Sequence, residues 1–486
     1  MNFVTSLWQW LVEIIVVILI AAAVYVRNNK EIFFLSWQLP GPPAWPIFGN
    51  AFAFLCKDED LFERAVSFTS AYSSPMRFWF GPKFCIVITD VVQAEKVMSS
   101  IKFATKDKQM YKFMAVFNGE ALISGSGPKW KRDRRLMSPL FLKRNVIQYF
   151  PYILHHMKIL VKLLEEKVDQ PTFNIEHLIH RCATDFVNET IIGVETNAQG
   201  GEMENFLENL TRMYTVVYAR MVKVWLQVEW IFRFTKYKKL QEDGKSVLHG
   251  FFRQAIETNK QTHVCTTKDD ESFRNLLQQM LDIRNDVPDF ATDEELVHHL
   301  STLYSASEDT VTTISSFALV LLGMYPNIQN KVVEEIFSVV GDRDVEEADL
   351  VKLTYLDMVI KDVLRLFPIA PFIAREASQD FQLEMARSGK RPNEFYPEHF
   401  LPEAVSKRHP YAFLPFSAGP RGCLGKPYAY MAMKIILVTI LQRYAVEADG
   451  KLEDKPLKND ISVRFKDEIY PIRIRKRTKS EKAFFK

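Results

Sequence analysis

Cysteine is scarce in this chain, and its scarcity limits the kinds of site that the protein can hold. Only 5 of the 486 residues are Cys, they are widely scattered, and no two form a Cys-x-x-Cys pair. A disulfide framework needs several Cys residues at suitable spacings, and a zinc finger needs paired Cys or His ligands. We therefore expect a protein of a reducing compartment, in which any cysteine chemistry comes from a single thiol.

An excess of charge of one sign, flexible linkers and repeats are also missing. The 62 Lys and Arg residues nearly balance the 59 Asp and Glu residues, and the net charge of +3 argues against a nucleic-acid-binding protein. No Gly/Ser-rich or charged linker follows residue 50, and there is no low-complexity tract. The length alone would allow two or three domains, but one large domain is equally compatible with it.

A long apolar run lies near the amino terminus. Residues Leu11 to Val26 are apolar except for Glu13. As a helix they would span about 24 Å, slightly less than a hydrocarbon core of ~30 Å. Arg27 and Lys30 follow the run and no basic residue precedes it, which predicts a retained anchor with the rest of the chain in the cytosol. The alternative is a signal peptide cleaved at the alanines 21–23, although such peptides carry their charge before the run.

Prolines are concentrated after this run. The segments Leu39–Pro43 and Trp45–Gly49 are too rich in proline to continue a helix, and they predict a stiff extended stretch, either a plain linker or a hinge. Beyond it, the pattern predicts an amphipathic helix over Leu61–Ser70 and a hairpin with strands Met76–Phe80 and Cys85–Thr89.

One cysteine, Cys423, lies in a stretch with a chemical pattern. The residues Phe416 to Gly425 read Phe-Ser-Ala-Gly-Pro-Arg-Gly-Cys-Leu-Gly, with three glycines that include Gly419. Glycines let a backbone approach a flat ligand closely, and Arg421 provides the positive surroundings that a thiolate needs. A single soft ligand on such a loop suits axial ligation of haem iron, whereas a lone buried Cys more commonly only packs. An apolar helix is predicted from Tyr428 to Leu441.

The pattern F-x-x-G-x-R-x-C-x-G in this stretch resembles the haem-binding signature of the cytochrome P450 family at every fixed position. The resemblance implies that haem b binds here, with Cys423 as the axial ligand of the iron. It also implies that Phe416, Gly419, Arg421 and Gly425 contact the cofactor. The implied fold is that family's mainly α domain with a small β-rich lobe.

Two further stretches resemble family segments that bind the haem propionates. Trp130 and Arg134 are four residues apart, so they share one helical face, and an indole N–H and a guanidinium can both donate to a carboxylate. From this stretch alone, a solvated basic helix is the simpler interpretation. The pair resembles the family's W-x-x-x-R motif, and Arg375 ends a Pro371–Arg375 segment whose family Arg reaches a propionate.

A long central helix is predicted to begin with the capping box Thr292–Glu295 and to end at Tyr325, before a proline. Midway along it, the hydroxyl of Thr310 can bond to the carbonyl of Ala306, as in an ordinary buried helix. The stretch also resembles the P450 groove motif A/G-G-x-D/E-T-T, which implies that Asp309 and Thr310 assist the protonation of oxygen.

The groove stretch departs from the family motif at two positions, and from many members of the CYP4 group at a third. Ser307 and Val311 replace the usual Gly and second Thr, and we expect the substitutions to weaken the control of proton delivery. Many members of the CYP4 group have a Glu at the position of Ala306, through which haem is covalently attached. Ala306 cannot form that ester, so no covalent attachment is expected.

The family's structural triad is altered as well. Tyr355 to Phe367 predicts a helix in which Asp362 and Arg365 form an E-x-x-R-like pair with Asp in place of Glu. His399 stands where the family usually has Arg, and it lacks a bidentate donor group. Only residues 384–391 occupy an interval in which family members have strands and a short helix.

Taken together, the motifs imply a membrane-anchored haem-thiolate monooxygenase most like the CYP4 group, which residues 180–199 also resemble. We predict a membrane anchor over residues 1–30, a proline-rich hinge over 31–50 and the catalytic domain over 51–486. The implied partners are NADPH–cytochrome P450 reductase, cytochrome b5, the endoplasmic reticulum membrane and a lipophilic substrate. The alternative is a haem-binding but non-catalytic membrane protein, suggested by the altered residues.

Overall fold

The computed structural model describes residues 2–45, 48–263, 273–377, 394–478 and 481. Within these ranges the fold is mainly helical, as predicted. The α-helices are α1 (Asn2–Asn28), α2 (Lys30–Trp37), α3 (Leu61–Ala71), α4 (Val91–Met98), α5 (Lys108–Asn118), α6 (Gly127–Met137), α7 (Lys143–Val146), α8 (Phe150–Glu165), α9 (Ile175–Val187), α10 (Glu204–Val222), α11 (Glu229–Phe232), α12 (Lys236–His263), α13 (Leu276–Asp286), α14 (Asp293–Met324), α15 (Pro326–Val339), α16 (Thr354–Leu366), α17 (Pro402–Ser406) and α18 (Lys426–Leu441).

The strands form three small antiparallel sheets. They are β1 (Met76–Phe80), β2 (Lys83–Val87), β3 (Phe173–Asn174), β4 (Tyr444–Glu447), β5 (Leu457–Asn459), β6 (Val463–Phe465) and β7 (Pro471–Lys476). The sheets are β1-β2, β3-β7-β4 and β5-β6. The strand β7 lies in the middle of the three-stranded sheet, because it pairs with both β3 and β4.

The described chain divides into two compact units, and the first contains the described residues up to Val97. In this unit the predicted helix at Leu61 is confirmed as α3, and the predicted hairpin is confirmed as β1-β2. The second strand runs over Lys83–Val87, two residues earlier than predicted, because Phe78 of β1 pairs with Cys85. The domain boundaries at residues 30 and 50 stay predictions.

Helix α1 contains the predicted apolar run. Its segment Trp8–Asn28 has a mean hydropathy of 2.4 and is long and apolar enough to cross a membrane. Trp8 and Trp10 are 66% and 68% exposed, so the apolar surface of this helix has no protein cover at these positions. The helix fits the predicted membrane anchor.

The second unit begins at Met98 and is built around α14. This helix packs against α5, α9, α12, α16, α18 and β4. The predicted capping box is confirmed, because the hydroxyl of Thr292 accepts from the backbone N–H of Glu295 and the Glu295 side chain accepts in return. The helix ends at Met324, since Pro326 cannot continue it.

Helix α16 confirms the predicted pair of Asp362 and Arg365. The carboxylate of Asp362 is fully buried and accepts from Arg365 Nε at 2.7 Å and from the backbone N–H of Tyr396, also at 2.7 Å. His399 Nδ1 lies 3.3 Å from the same carboxylate. The altered triad is therefore still connected, while the shortened interval at 384–391 lies outside the described residues.

Candidate functional site

The loop that carries Cys423 has a backbone in which only glycine fits at position 419. Gly419 has φ +64°, and a Cβ there would lie 1.9 Å from the carbonyl oxygen of Met98. The loop closes on itself, because the N–H of Gly422 donates to Gly419 at 3.0 Å and that of Cys423 donates to Phe416 at 2.9 Å. Two predicted loop residues, Gly419 and Phe416, thus fix the position of the thiol.

The surroundings of the Cys423 sulfur shift the pKa of the thiol in opposite directions. Burial raises the pKa of the thiol, while hydrogen bonds from the backbone N–H groups of Gly425 and Lys426 and the charge of Arg134 lower that pKa. These N–H groups open α18, whose unpaired amino-terminal donors favour a negative charge. A bound metal cation would favour the thiolate further, because a thiol that coordinates a metal is deprotonated.

Arg421 is fixed by a ring of backbone carbonyls and by an aromatic face. Its Nε donates to Ala104 at 2.6 Å, and its Nη2 donates to Gly125 at 2.7 Å. The guanidinium lies over the ring of Trp130, 3.4 Å from the centroid. The indole N–H of Trp130 donates to the carbonyl of Leu122 at 3.2 Å, so in this structure Trp130 orients Arg421 and its own donor is engaged.

Arg134 joins the cysteine loop to α6. Its guanidinium donates to the carbonyl oxygen of Gly422, the residue before the cysteine. Helix α6 is in turn tied to α14, because Lys129 forms ion pairs with Asp133 at 2.9 Å and with Glu295 at 3.1 Å. The predicted pairing of Trp130 and Arg134 on one helical face therefore places both residues against the loop.

Arg375 has a partner that the sequence analysis missed. A hydrogen bond links its guanidinium to Tyr111, and Lys106 Nζ donates to the same phenol oxygen at 2.9 Å. The Lys106 side chain is buried, and burial together with the charges of Arg375 and Arg421 lowers its pKa to about 6. No motif marks Lys106, whose importance follows only from its neighbours in the fold.

These four basic residues, Lys106, Arg134, Arg375 and Arg421, are called the cation cradle below. In the described part of the chain none of them forms a salt bridge with a carboxylate. Burial and the charges of Arg375 and Arg134 lower the pKa of Arg421 to about 9. Lys106 is buried and the three arginines are half-buried, so grouping them without a counterion is costly unless an anionic ligand binds to them.

The residues of the site fit a haem. Its propionates would supply the anions that the cation cradle lacks, and Cys423 is a soft ligand suited to the iron. Gly425 keeps the space beside the sulfur open, because a Cβ there would lie 3.9 Å from Cys423 Sγ. Phe416 stacks at a tilt on Tyr430, with ring centroids 5.3 Å apart, and supports the loop.

The predicted hydrogen bond on α14 is confirmed. Thr310 Oγ1 donates to the carbonyl of Ala306 at 2.7 Å. The two residues are one helical turn apart and accessible, with Ala306 exposed and Thr310 half-buried. Val311 is fully buried in the hydrophobic core, where it packs rather than lining an open surface.

Asp309 lies on another face of α14 and has strong partners. Its carboxylate accepts from the hydroxyl of Ser462 and from the guanidinium of Arg464, on and beside β6. Next to it, Glu308 is 1% exposed and pairs with His180 of α9 at 2.9 Å. Sequence reasoning missed these partners, although two acids in the middle of a buried helix indicate that some cation or donor must face them.

Comparison with known proteins gives matches over nearly the whole chain. The family model described as Cytochrome P450 matches residues 39–385 and 390–470. Cytochrome P450 4V2 of Homo sapiens is 30% identical over 488 residues, which cover 92% of each chain. Cytochrome P450 4c3 of Drosophila melanogaster is 28% identical over 490 residues, which cover 93% of this chain and 91% of that protein. Both relatives belong to the CYP4 group, as the motifs predicted.

Proposed function

Because the chain belongs to the cytochrome P450 family of haem-thiolate monooxygenases, we propose that it inserts one oxygen atom into a lipophilic substrate. The substrate classes are a fatty acid, a steroid or terpenoid-like molecule, or a xenobiotic. The electrons come from NADPH through NADPH–cytochrome P450 reductase, with cytochrome b5 as a second donor. The observation that carries the proposal is the cation cradle around the glycine-rich Cys423 loop. Together they offer a ligand for the haem iron and cations for its propionates.

The roles of the residues follow from their contacts. When bound, haem supplies the iron centre at which dioxygen is reduced and the substrate is oxidised. Cys423 would bind the haem iron through its sulfur, and the N–H groups at the start of α18 would stabilise negative charge on that sulfur. Arg134, Arg375 and Arg421 bind the propionates, and Trp130 holds Arg421 in place.

Thr310 and Asp309 have separate tasks in this proposal. The Thr310 hydroxyl is accessible and holds a proton or a water beside the groove formed at Ala306. Asp309 is buried among its partners and supplies the proton from the other side of the helix. General acid groups of this kind contribute about 10²–10⁴-fold to the rate of a proton-transfer step.

The proposed ligation is tested with carbon monoxide. The reduced protein with carbon monoxide should show the strongly red-shifted Soret band of a thiolate ligand, and Cys423→Ala should abolish that band. Cys56→Ala, an exposed free cysteine, is the matched control and should keep it. A thiolate band that persists in Cys423→Ala would refute the assignment.

The attachment of the haem is tested by extraction. Ala306 has no carboxylate, and Glu308 is buried in its pair with His180, so acidified organic solvent should remove the haem completely. Haem that stays with the denatured polypeptide would contradict this prediction.

Membrane attachment and substrate class need separate experiments. We propose that α1 anchors the chain in the endoplasmic reticulum membrane with the second unit in the cytosol, because Arg27 and Lys30 follow the apolar segment. The chain should stay in microsomes after an alkaline carbonate wash. Screening fatty acids, steroids and terpenoids for spin-state shifts identifies the substrate class, and a soluble or amino-terminally cleaved product would refute the anchor.

A further inference from the structure

Glu308 and Asp309, two adjacent acids of α14, line a polar cavity. Its volume is about 190 Å³, enough for several water molecules. The charged side chains that line it are mostly acidic, and those used below are Glu176, His180, Glu308, Asp309, Asp460 and Arg464. We call this group the acid cavity.

The acid cavity is connected to solvent. His177 and Glu468 also line it, and their side chains are 73% and 53% exposed. The His180 side chain is 21% exposed, whereas its partner Glu308 is 1% exposed. Side-chain exposure therefore decreases from the rim of the cavity, through His180, to the buried carboxylate of Glu308.

Two buried polar atoms in the cavity have no partner among the described residues. They are Glu308 Oε2 and Tyr214 Oη, and both residues line the cavity. Buried polar atoms nearly always have a hydrogen-bond partner, so water in the cavity is the group that completes them. The other carboxylate oxygen of Glu308 is occupied, since His180 Nε2 lies 2.9 Å from it and the Thr312 hydroxyl donates to it at 3.3 Å.

We propose that the acid cavity is the entry for the protons that oxygen reduction consumes, and that His180 and Glu308 hold a proton beside Asp309. The inference rests on the proposed monooxygenase function. In that reaction RH + O₂ + 2 e⁻ + 2 H⁺ gives ROH + H₂O: a C–H bond breaks, a C–O bond forms and the second oxygen leaves as water. The reductase supplies both electrons, and solvent in the cavity supplies both protons.

The electrostatics of the cavity agree with this role. Although burial alone would lower it, Glu308 and more weakly Glu176 raise the pKa of His180 to about 9, against the smaller opposing charge of Arg464. Burial raises the pKa of Glu308, and Asp309 raises it further. Both shifts favour a proton held between the two side chains. Of the other groups facing the pair, Tyr214 and Tyr304 stay neutral because burial raises their pKa values, and burial also raises the pKa of Asp460.

Asp309 is the residue that joins the acid cavity to the groove. It lines the cavity with Glu308, and it directly precedes Thr310 in the helix. His180 and Glu308 do not border the groove themselves. They are positioning residues that act through Asp309, so their test needs a readout that a purely structural role would not change.

The first test measures the titration of His180 directly. The exchange of each histidine C2–H for deuterium, followed by mass spectrometry as a function of pH, gives the midpoint for His180 in the haem-loaded full chain. We expect a midpoint near 9, falling by at least about one unit in Glu308→Gln. His177, on the same helix, is the internal control, and its exchange curve should be the same in both proteins. A His180 midpoint near the ordinary 6.5 would overturn the inference.

The second test measures where the electrons go. The double variant His180→Gln/Glu308→Gln keeps a neutral hydrogen-bonding pair without a titratable proton. The matched control is His155→Gln, at an exposed histidine of α8 that does not line the cavity. With NADPH and reductase, we expect the double variant to form about tenfold more hydrogen peroxide per product, because water replaces only part of a lost proton donor. Its solvent deuterium isotope effect on NADPH oxidation should also rise, while His155→Gln should behave as wild type.

The outcomes separate this inference from the proposed function. A missing thiolate band in the wild type contradicts the function itself. A normal band with an unchanged peroxide ratio and isotope effect in the double variant overturns only the proton entry. If the double variant fails to bind haem, the peroxide ratio and the isotope effect of the single variant Glu308→Gln, which keeps His180, decide the question, and wild-type values in that variant overturn the proton entry.

Discussion

The cation cradle is basic and the acid cavity is mostly acidic, but their charged groups have different kinds of partner. The cations of the cradle have backbone carbonyls, a phenol and an aromatic ring as partners, and no carboxylate among the described residues. The acids of the cavity have Arg464, His180 and Ser462 from this chain. The cradle therefore needs an anionic ligand, whereas the two buried acids of α14 each have a basic partner in this chain.

This difference explains what each region can do. An unbalanced group of cations binds an anionic ligand and is stabilised by it, because charges buried without a counterion are costly. The two buried acids of α14 already have basic partners, so they need no charged ligand. They can instead hold a proton at a defined place, since His180 and Glu308 exchange one proton between them without a change in net charge.

The largest effect is expected when Arg464, the basic partner of Asp309 in the acid cavity, is replaced. Arg464→Met keeps the length of the side chain but leaves the buried carboxylate of Asp309 without its cation. Removing one partner of a buried ion pair costs about 3–5 kcal/mol of stability. The free energy of unfolding, measured in urea on the full chain in detergent, should fall by that amount. Arg473→Met, which breaks an exposed pair with Asp449, should change it little; an equal loss in both variants would contradict this role of Arg464.

The pH dependence of stability should have opposite signs in the two regions. Lys106 has a lowered pKa of about 6, so between pH 6 and its ordinary pKa of about 10.4 the unfolded chain binds more protons and stability rises with pH. His180 has a raised pKa of about 9, so its stabilising contribution is complete below about pH 6.5 and is lost as pH rises through 9.

The contributions of Lys106 and His180 to the free energy of unfolding both change with pH between pH 6.5 and 9. Their slopes have opposite signs, so they offset each other in the haem-free protein. Each amounts to at most about 1.4 kcal/mol per pH unit. Lys106→Met should expose the falling slope, and His180→Gln should expose the rising one. Urea unfolding of the haem-free full chain at pH 6.5, 7.5 and 8.5 measures both, and parallel curves for the two variants would refute the opposite signs.

A smaller effect is expected on haem binding when one cradle charge is removed. Because the pKa of Lys106 is about 6 in the haem-free protein, Lys106→Met removes a neutral amine there, together with its hydrogen bond to Tyr111. The haem-free protein should therefore lose little stability at pH 7.5, while its affinity for haem falls about tenfold, because a propionate would favour the charged amine and form a charge-assisted hydrogen bond with it. Transfer of haem to apomyoglobin measures the affinity. Lys131→Met, on the exposed face of α6, is the control and should change neither quantity.

Local patterns predicted the parts of the site that local chemistry determines. The glycine-rich loop, the capping box of α14 and the pair on α6 depend on residues a few positions apart, so their geometry could be inferred before the fold was known. The bond from Thr310 to Ala306 was predicted for the same reason. The strand β2 was displaced by two residues, because its position is set by pairing with β1 rather than by its own composition.

The partners that complete each charge were not predicted, because they come from distant elements. Arg464 is 155 residues from Asp309, and Arg421 is 296 residues from the carbonyl of Gly125 that it bonds. Lys106 and His180 carry no motif, since a lysine or histidine on a helix or loop is usually solvated. The N–H of Trp130 was expected to reach a ligand, but a carbonyl eight residues earlier, that of Leu122, accepts it.

The smallest expected effect concerns the stretch of α14 around Thr310. The sequence predicted weak control of proton delivery because Ser307 and Val311 depart from the family motif. Val311 is buried in the core, so only Ser307, which is half-buried, remains as a cause. We therefore expect a moderate share of NADPH consumption to appear as peroxide in the wild type.

Thr310→Ala tests whether the groove hydroxyl directs the proton that arrives through Asp309. The hydroxyl is held by the carbonyl of Ala306 at 2.7 Å and is half-buried, so it can pass a hydrogen bond to water in the groove. Its loss should raise the ratio of peroxide to product a few-fold, less than loss of the His180–Glu308 pair, because water can occupy the space of the hydroxyl. Thr313→Val, which removes a fully buried hydroxyl on the same helix, is the matched control. If both variants keep the wild-type ratio, the Thr310 hydroxyl only bonds within its own helix, and the acid cavity would have to reach the groove by another residue.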